Sequence, residues 1–134
     1  VTLVLGGSHS IGVPLAVSGN YSFITPSATM MIHPIRTTGL VIGVLQSFLY
    51  FQKMQERITD FVIEHSNVDK GVFTKIMLNT DELVNDMGSV LVGDDAVKIG
   101  LIDEVGSLKD ARNKLLELIK EYEHTGKNKK SKEK

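Results

Sequence analysis

Apolar and polar positions divide the chain into a strand-and-turn half and a helical half. Val1 to Leu5 is an unbroken aliphatic and β-branched run; Gly6-Gly7-Ser8-His9-Ser10-Ile11-Gly12 interrupts it, and Val13-Pro14-Leu15-Ala16-Val17 resumes it. Such a run, then paired glycines, then an apolar segment opened by a small hydroxyl residue predicts strand, sharp turn, helix. Asn20 to Thr25 and Thr29 to His33 predict two short strands joined by a turn at Pro26-Ser27, with Pro34 limiting the second. After Gly39, residues Val41, Leu45, Phe48, Phe51, Met54 or Gln55, Ile58, Phe61 and Val62 recur at three- and four-residue spacing, which predicts a long helix to about Ser66. Asn67 and Asp69 read as a stop and a new cap, with Val72, Phe73, Ile76 and Met77 on one face of a second helix. Beyond the polar stretch 80–88, Ser89 to Val92 predicts a strand, Gly93 to Ile99 a short helix ended by Gly100, and Leu101 to Val105 another strand. Gly106-Ser107 opens a last helix to about Glu123, with Leu108, Ala111, Leu115, Leu118, Ile119 and Tyr122 as its expected buried stripe.

Composition narrows this to one α/β domain: 134 residues, 42% hydrophobic and 23% charged, can bury a core but not two. Residues 1–50 hold no Asp or Glu and one basic residue, Arg36, so the first part of the chain is expected to be interior. A net charge of -1 gives no electrostatic case for nucleic acid or an anionic membrane as partner. The absence of cysteine removes disulfides, thiolate metal sites and a cysteine nucleophile together. Apolar runs are broken well short of the ~18 residues of a spanning helix, and no charged segment precedes an apolar run as in a signal peptide. The first residue lies inside an expected strand, which reads as the C-terminal part of a longer protein. The domain is expected over residues 1–124, and residues 125–134, rich in Lys without an apolar anchor, are expected to be a disordered basic tail.

Two residues in the charge-free half carry candidate chemistry. Ser10 follows the glycine turn at the start of a helix, where unpaired N–H groups would stabilise negative charge developing beside its hydroxyl. That is the logic of a nucleophile elbow, and a plain helix N-cap gives the same pattern. His33 closes the run Thr29-Met30-Met31-Ile32 and is fixed by Pro34, in an uncharged neighbourhood. It is either a core histidine or, paired with Ser10, a general base. His9 lies in the turn, His65 at a helix end and His124 near the C-terminus, and no His or carboxylate spacing suits a metal, so neither metal nor cofactor is expected.

Four motifs in register, Ser10-Ile11-Gly12, Met31-Ile32-His33-Pro34, the long helix, and Ala96-Val97-Lys98-Ile99-Gly100-Leu101-Ile102-Asp103, resemble the proteolytic subunit of Clp protease over residues 1 to about 106. The resemblance implies a crotonase-type α/β fold with Ser10 as nucleophile, His33 as base and the Ile11 N–H as oxyanion donor. It also implies a peptide or protein substrate, a cytoplasmic location and a homo-oligomeric ring in which the long helix forms a handle. Two departures accompany it. A second oxyanion donor comes, in the family, from a segment preceding the elbow, so this stretch alone is expected to be inactive. The triad acid falls on Gly88 by ungapped count, so Asp86, the nearest carboxylate, or a backbone carbonyl is expected to orient the His33 imidazole. The turn from Asp86 to Gly93 instead resembles that of signal peptide peptidase A, which uses a Ser-Lys dyad, but no lysine lies near the elbow. The missing acid keeps a rival open, a non-catalytic scaffold that assists translocation, and the shared fold keeps a weaker one, an acyl-CoA-binding crotonase.

Overall fold

The computed structural model describes residues 1–40, 43–79 and 88–130, excluding the side chains of 125–130. Two three-stranded sheets carry the molecule. In the first, β1 (Thr2–Val4) and β6 (Glu104–Val105) flank β3 (Ser22–Ile24), all parallel. In the second, β2 (Gly7–His9) lies parallel to β4 (Thr29–Ile32), whose other edge pairs antiparallel with β5 (Ser89–Val92). Helix α1 (Gly12–Val17) is the crossover between the two pairs of parallel strands.

The glycine stretch is therefore more than a turn: Gly7–His9 is itself a strand. Pairing with β4 overrides the poor strand propensity of glycine, and Gly6 O accepts the Thr29 N–H at 2.8 Å where the chain passes between sheets. The turn at Pro26-Ser27 also forms, with Ala28 N–H donating to Thr25 O at 3.1 Å, but the strands it joins do not pair with each other. It moves the chain from one sheet to the next, alongside the same step in β1 and β2. Ser22, Phe23 and Ile24 are all buried, as suits the central strand of a parallel sheet covered on both faces.

The core fills the space between sheets and helices around Val17, Ile24, Met30, Val62, Leu101 and Ile102, each nearly free of solvent contact. Helix α2 (Leu45–Glu64) begins later than the apolar spacing predicts because Val44 is extended, at φ -109° and ψ 153°. Asp69 caps α3 (Lys70–Met77), accepting from Val72 N–H at 3.0 Å, as expected. Helix α4 (Gly93–Lys98) also matches its expected span closely.

Of the expected strand at 101–105, only Glu104–Val105 joins a ladder. Leu101 and Ile102 both donate backbone N–H to Ala96 O, at 3.0 and 3.2 Å, so their side chains enter the core from a bend. Asp103 then anchors the bend, accepting from Ser22 N–H at 2.8 Å and Ser22 Oγ at 2.7 Å, while Asn67 Nδ2 approaches at 3.3 Å. Asp103→Ala should lower stability by about 1–2 kcal/mol, since these are charge-assisted bonds at a partly exposed site. A denaturant midpoint unchanged from wild type, at equal m-value, would contradict that role.

Helix α5 (Leu108–Lys130) starts with Ser107 and Asp110 bonded reciprocally: Ser107 Oγ and N–H donate to Asp110 Oδ2 at 2.6 and 2.8 Å, which holds the Asp110 carboxyl below its usual range. Of its expected buried stripe, Ala111 is buried and Leu118 half-buried, but Leu108, Leu115, Ile119 and Tyr122 are exposed. Only the first turns reach the body, where Lys114 Nζ sits 4.8 Å from the centre of the Tyr21 ring. The helical backbone continues to Lys130, into the stretch where the sequence predicts a basic tail.

Candidate active site

Parallel pairing of β2 with β4 brings the carboxyl ends of both strands to the same edge, the end of a parallel sheet at which ligands bind. Ser10 is the first residue after β2 and His33 the first after β4. The ladder runs one step beyond the strand, Ser10 N–H donating to Met31 O at 3.1 Å, so the two segments are tied where they leave the sheet.

Ser10 adopts φ +56°, the one non-glycine residue with positive φ among those described. A serine held there stores about 1–3 kcal/mol of strain, as at a strand-to-helix nucleophile elbow. Its side chain does not cap α1: the helix has no side-chain cap hydrogen bond, and the exposed hydroxyl has no hydrogen-bond partner among the described residues. The N-cap reading of Ser10 therefore falls. Ser8, two residues back within β2, is 8% exposed, on the face of the strand opposite the exposed His9. Gly12 must remain without a side chain, because a Cβ there would lie 2.9 Å from Ser8 Oγ. Helix α1 is too short to contribute a strong dipole; the nearest donor to a group forming beside Ser10 is the N–H of Ile11, the next residue.

His33 is half-buried, and its Nδ1 lies 2.7 Å from Pro34 O. A carbonyl only accepts, so Nδ1 carries the proton and the neutral ring leaves Nε2 bare as an acceptor. Ser10 and His33 line one cleft of about 230 Å³ with Ile11, Arg36, Gln55 and Ile58. A narrower apolar slot, of about 30 Å³, opens from both residues toward Val62, Phe73 and Met77. They share the cleft without a direct hydrogen bond, a common looseness in the absence of substrate.

The Clp protease family profile matches residues 1–109 of this geometry's sequence. The chain belongs to the Clp protease family. It is also 55% identical over 123 residues to translocation-enhancing protein TepA of Halalkalibacterium halodurans, an alignment covering 92% of this chain and 48% of that protein. The chain thus spans about half the length of the curated relative it matches. Its mixed α/β architecture, with a Ser turn and a His strand end brought to one cleft, is a Clp-protease-like fold.

At the position where the family's triad acid falls by count, Gly88 has φ +86°, and a Cβ would stand 2.5 Å from Ile32 O and 2.6 Å from His33 Cβ. A side chain at 88 would therefore collide with the backbone of Ile32 and the root of His33, which leaves no room for a carboxylate. Asp86, the nearest acid in sequence, lies outside the described residues.

The other histidines face elsewhere. His9 Nε2 lies 2.9 Å from Thr29 Oγ1 on the outer face of the second sheet, and His65 stacks on Phe61 with ring centroids 4.0 Å apart. His124 is exposed on α5. Sequence reasoning expected a backbone carbonyl as one possible partner of the imidazole without saying which, and did not single out Gln55; the one available signal was a glutamine in a helix stripe that otherwise wants apolar residues.

Proposed function

We propose that the chain forms part of a serine peptidase subunit in which Ser10 attacks the peptide carbonyl and His33 is the general base. His33 Nε2 takes the Ser10 proton as the Oγ–C bond forms, and the Ile11 N–H holds the oxyanion. Collapse breaks the C–N bond, with the same proton passing to the leaving amine; His33 then deprotonates a water as it attacks the acyl carbon, the Oγ–C bond breaks, and that proton returns from His33 to Ser10 Oγ. What carries this reading is the strained Ser10 beside the end of His33's strand. The name of the TepA relative, translocation-enhancing protein, supports a link to protein translocation, and a cytoplasmic location is part of this proposal.

A serine-directed fluorophosphonate on the full-length protein tests the pair, because its phosphonyl group takes the place of the peptide carbonyl at the serine and its oxyanion donors. One adduct per wild-type chain is expected by intact-mass spectrometry and none on His33→Ala. A wild-type chain that takes no adduct would instead support the scaffold reading, which the glycine at position 88 favours. Peptide turnover also needs a second oxyanion donor, and one donor is worth roughly 10²–10³-fold in rate. Turnover by these 134 residues is therefore expected to remain at background.

Self-association follows from α2, whose first turns expose Leu45, Phe48, Leu49 and Tyr50, more apolar surface than a helix of a monomer leaves in water. We propose a homo-oligomer in which this helix lies between subunits, as in the rings of the family. Light scattering at micromolar concentration should give a mass above the 14.7 kDa of one chain. A monodisperse monomer overturns it. Among the described residues no helix is long and apolar enough to cross a membrane.

A further inference from the structure

We propose that Gln55 is a positioning residue for His33, acting through the single peptide group that joins Pro34 to Ile35. The proposal rests on reading His33 as the base, and supplies what a missing triad acid would otherwise do. The carbonyl of that peptide, Pro34 O, accepts His33 Nδ1–H at 2.7 Å. Its N–H, on Ile35, donates to Gln55 Oε1 at 2.6 Å. Gln55 thus grips the far side of the same planar unit that holds the imidazole.

The amide orientation follows from the chemistry of its partners. Ile35 N–H can only donate, so the oxygen of Gln55 must face it and the NH₂ must face away. There it meets Thr59 Oγ1 at 3.3 Å and Met77 Sδ at 3.0 Å, which fixes the side chain against α2 and α3. Hydrogen bonds in a chain polarise one another, so a peptide whose N–H is engaged presents a stronger acceptor at its carbonyl. The result is a neutral substitute for a carboxylate: His33 is held with Nδ1 protonated and Nε2 free, in the cleft that Ser10 also lines. A triad carboxylate fixes the tautomer and ring orientation and also stabilises the imidazolium; the peptide and Gln55 supply the tautomer and the orientation. Gly88 stands close to Ile32 O and His33 Cβ, where no side chain fits.

The tautomer of His33 reads the proposal without any assay of activity. In the ¹⁵N-labelled chain, two-bond ¹H–¹⁵N spectra should show His33 as the Nδ1–H form, with the Ile35 amide protected from hydrogen exchange. Gln55→Leu should mix the tautomers and speed Ile35 exchange at least about tenfold, the loss of one well-made bond. Gln55→Glu, which retains an acceptor oxygen for Ile35, should restore both. Fluorophosphonate labelling should slow by roughly three- to tenfold in Gln55→Leu and recover in Gln55→Glu. An Nε2–H tautomer or an unprotected Ile35 amide in the wild-type chain overturns the proposal, as does a folded Gln55→Leu chain with His33 unchanged, or a Gln55→Glu chain that behaves as Gln55→Leu. If Gln55→Leu does not fold, the wild-type spectra and Gln55→Glu decide. A chain with the expected tautomer that takes no label contradicts the peptidase reading and leaves the positioning role standing; a labelled chain whose His33 ignores Gln55 does the reverse.

Discussion

Ser10→Ala is expected to abolish fluorophosphonate labelling, while Ser8→Ala labels within about twofold of wild type. The two serines lie two residues apart in one short segment, and the fold separates them. Ser10 sits past the end of β2 with its hydroxyl exposed and the backbone at φ +56°. Ser8 is on the strand, 8% exposed and covered by Gly12. Removing the nucleophile of a serine hydrolase costs on the order of 10⁶-fold in rate, so no residual adduct should be seen. Equal adduct formation by Ser10→Ala and wild type would falsify the assignment.

How far this site was legible depended on whether each feature is local. Ser10 and its glycines could be read because a strand, a tight turn and a helix start leave their marks within a dozen residues. The Asp69 cap and the inward Phe73, Ile76 and Met77 of α3 were legible for the same reason, whereas Val72, expected on that face, is exposed. Pairing was not. Two apolar runs around Pro26-Ser27 read as neighbours, yet β3 belongs with β1 and β4 with β2, because strand choice is settled by α1 crossing over between them. That non-local pairing is what brings Ser10 and His33 to one edge, so the site was legible in its residues and not in its assembly.

The same limit applies to burial. The α5 stripe is visible in the sequence, but spacing says which residues share a face and not whether a neighbour covers it; Ala111 found one and Leu115 did not. Gln55 was the opposite case. A polar residue in an apolar stripe looks like a frayed pattern, and its meaning appears only when the Ile35 N–H arrives from 20 residues away in sequence. Gly88 was visible only as an acid that was not there.

Gly88→Ala tests that position directly, and should be among the most damaging single changes in the chain. Two costs combine. Alanine at φ +86° is strained wherever it stands, by about 1–2 kcal/mol. Here the new Cβ would also meet Ile32 O at 2.5 Å and His33 Cβ at 2.6 Å, contacts made by backbone and by the root of a side chain, which cannot swing aside. Forced overpacking adds about 1–3 kcal/mol, for a total near 2–4 kcal/mol read from the denaturant midpoint. Gly39→Ala separates the two terms: Gly39 has φ +112°, yet nothing stands within 4 Å of its Cβ position, so only the conformational cost should appear. The difference between the two variants is then the contact with Ile32 O and His33 Cβ. If the chain relieves that contact by moving the base, fluorophosphonate labelling should fall in Gly88→Ala and hold in Gly39→Ala, while two variants of equal stability and equal labelling would mean that Gly88 does not press on His33.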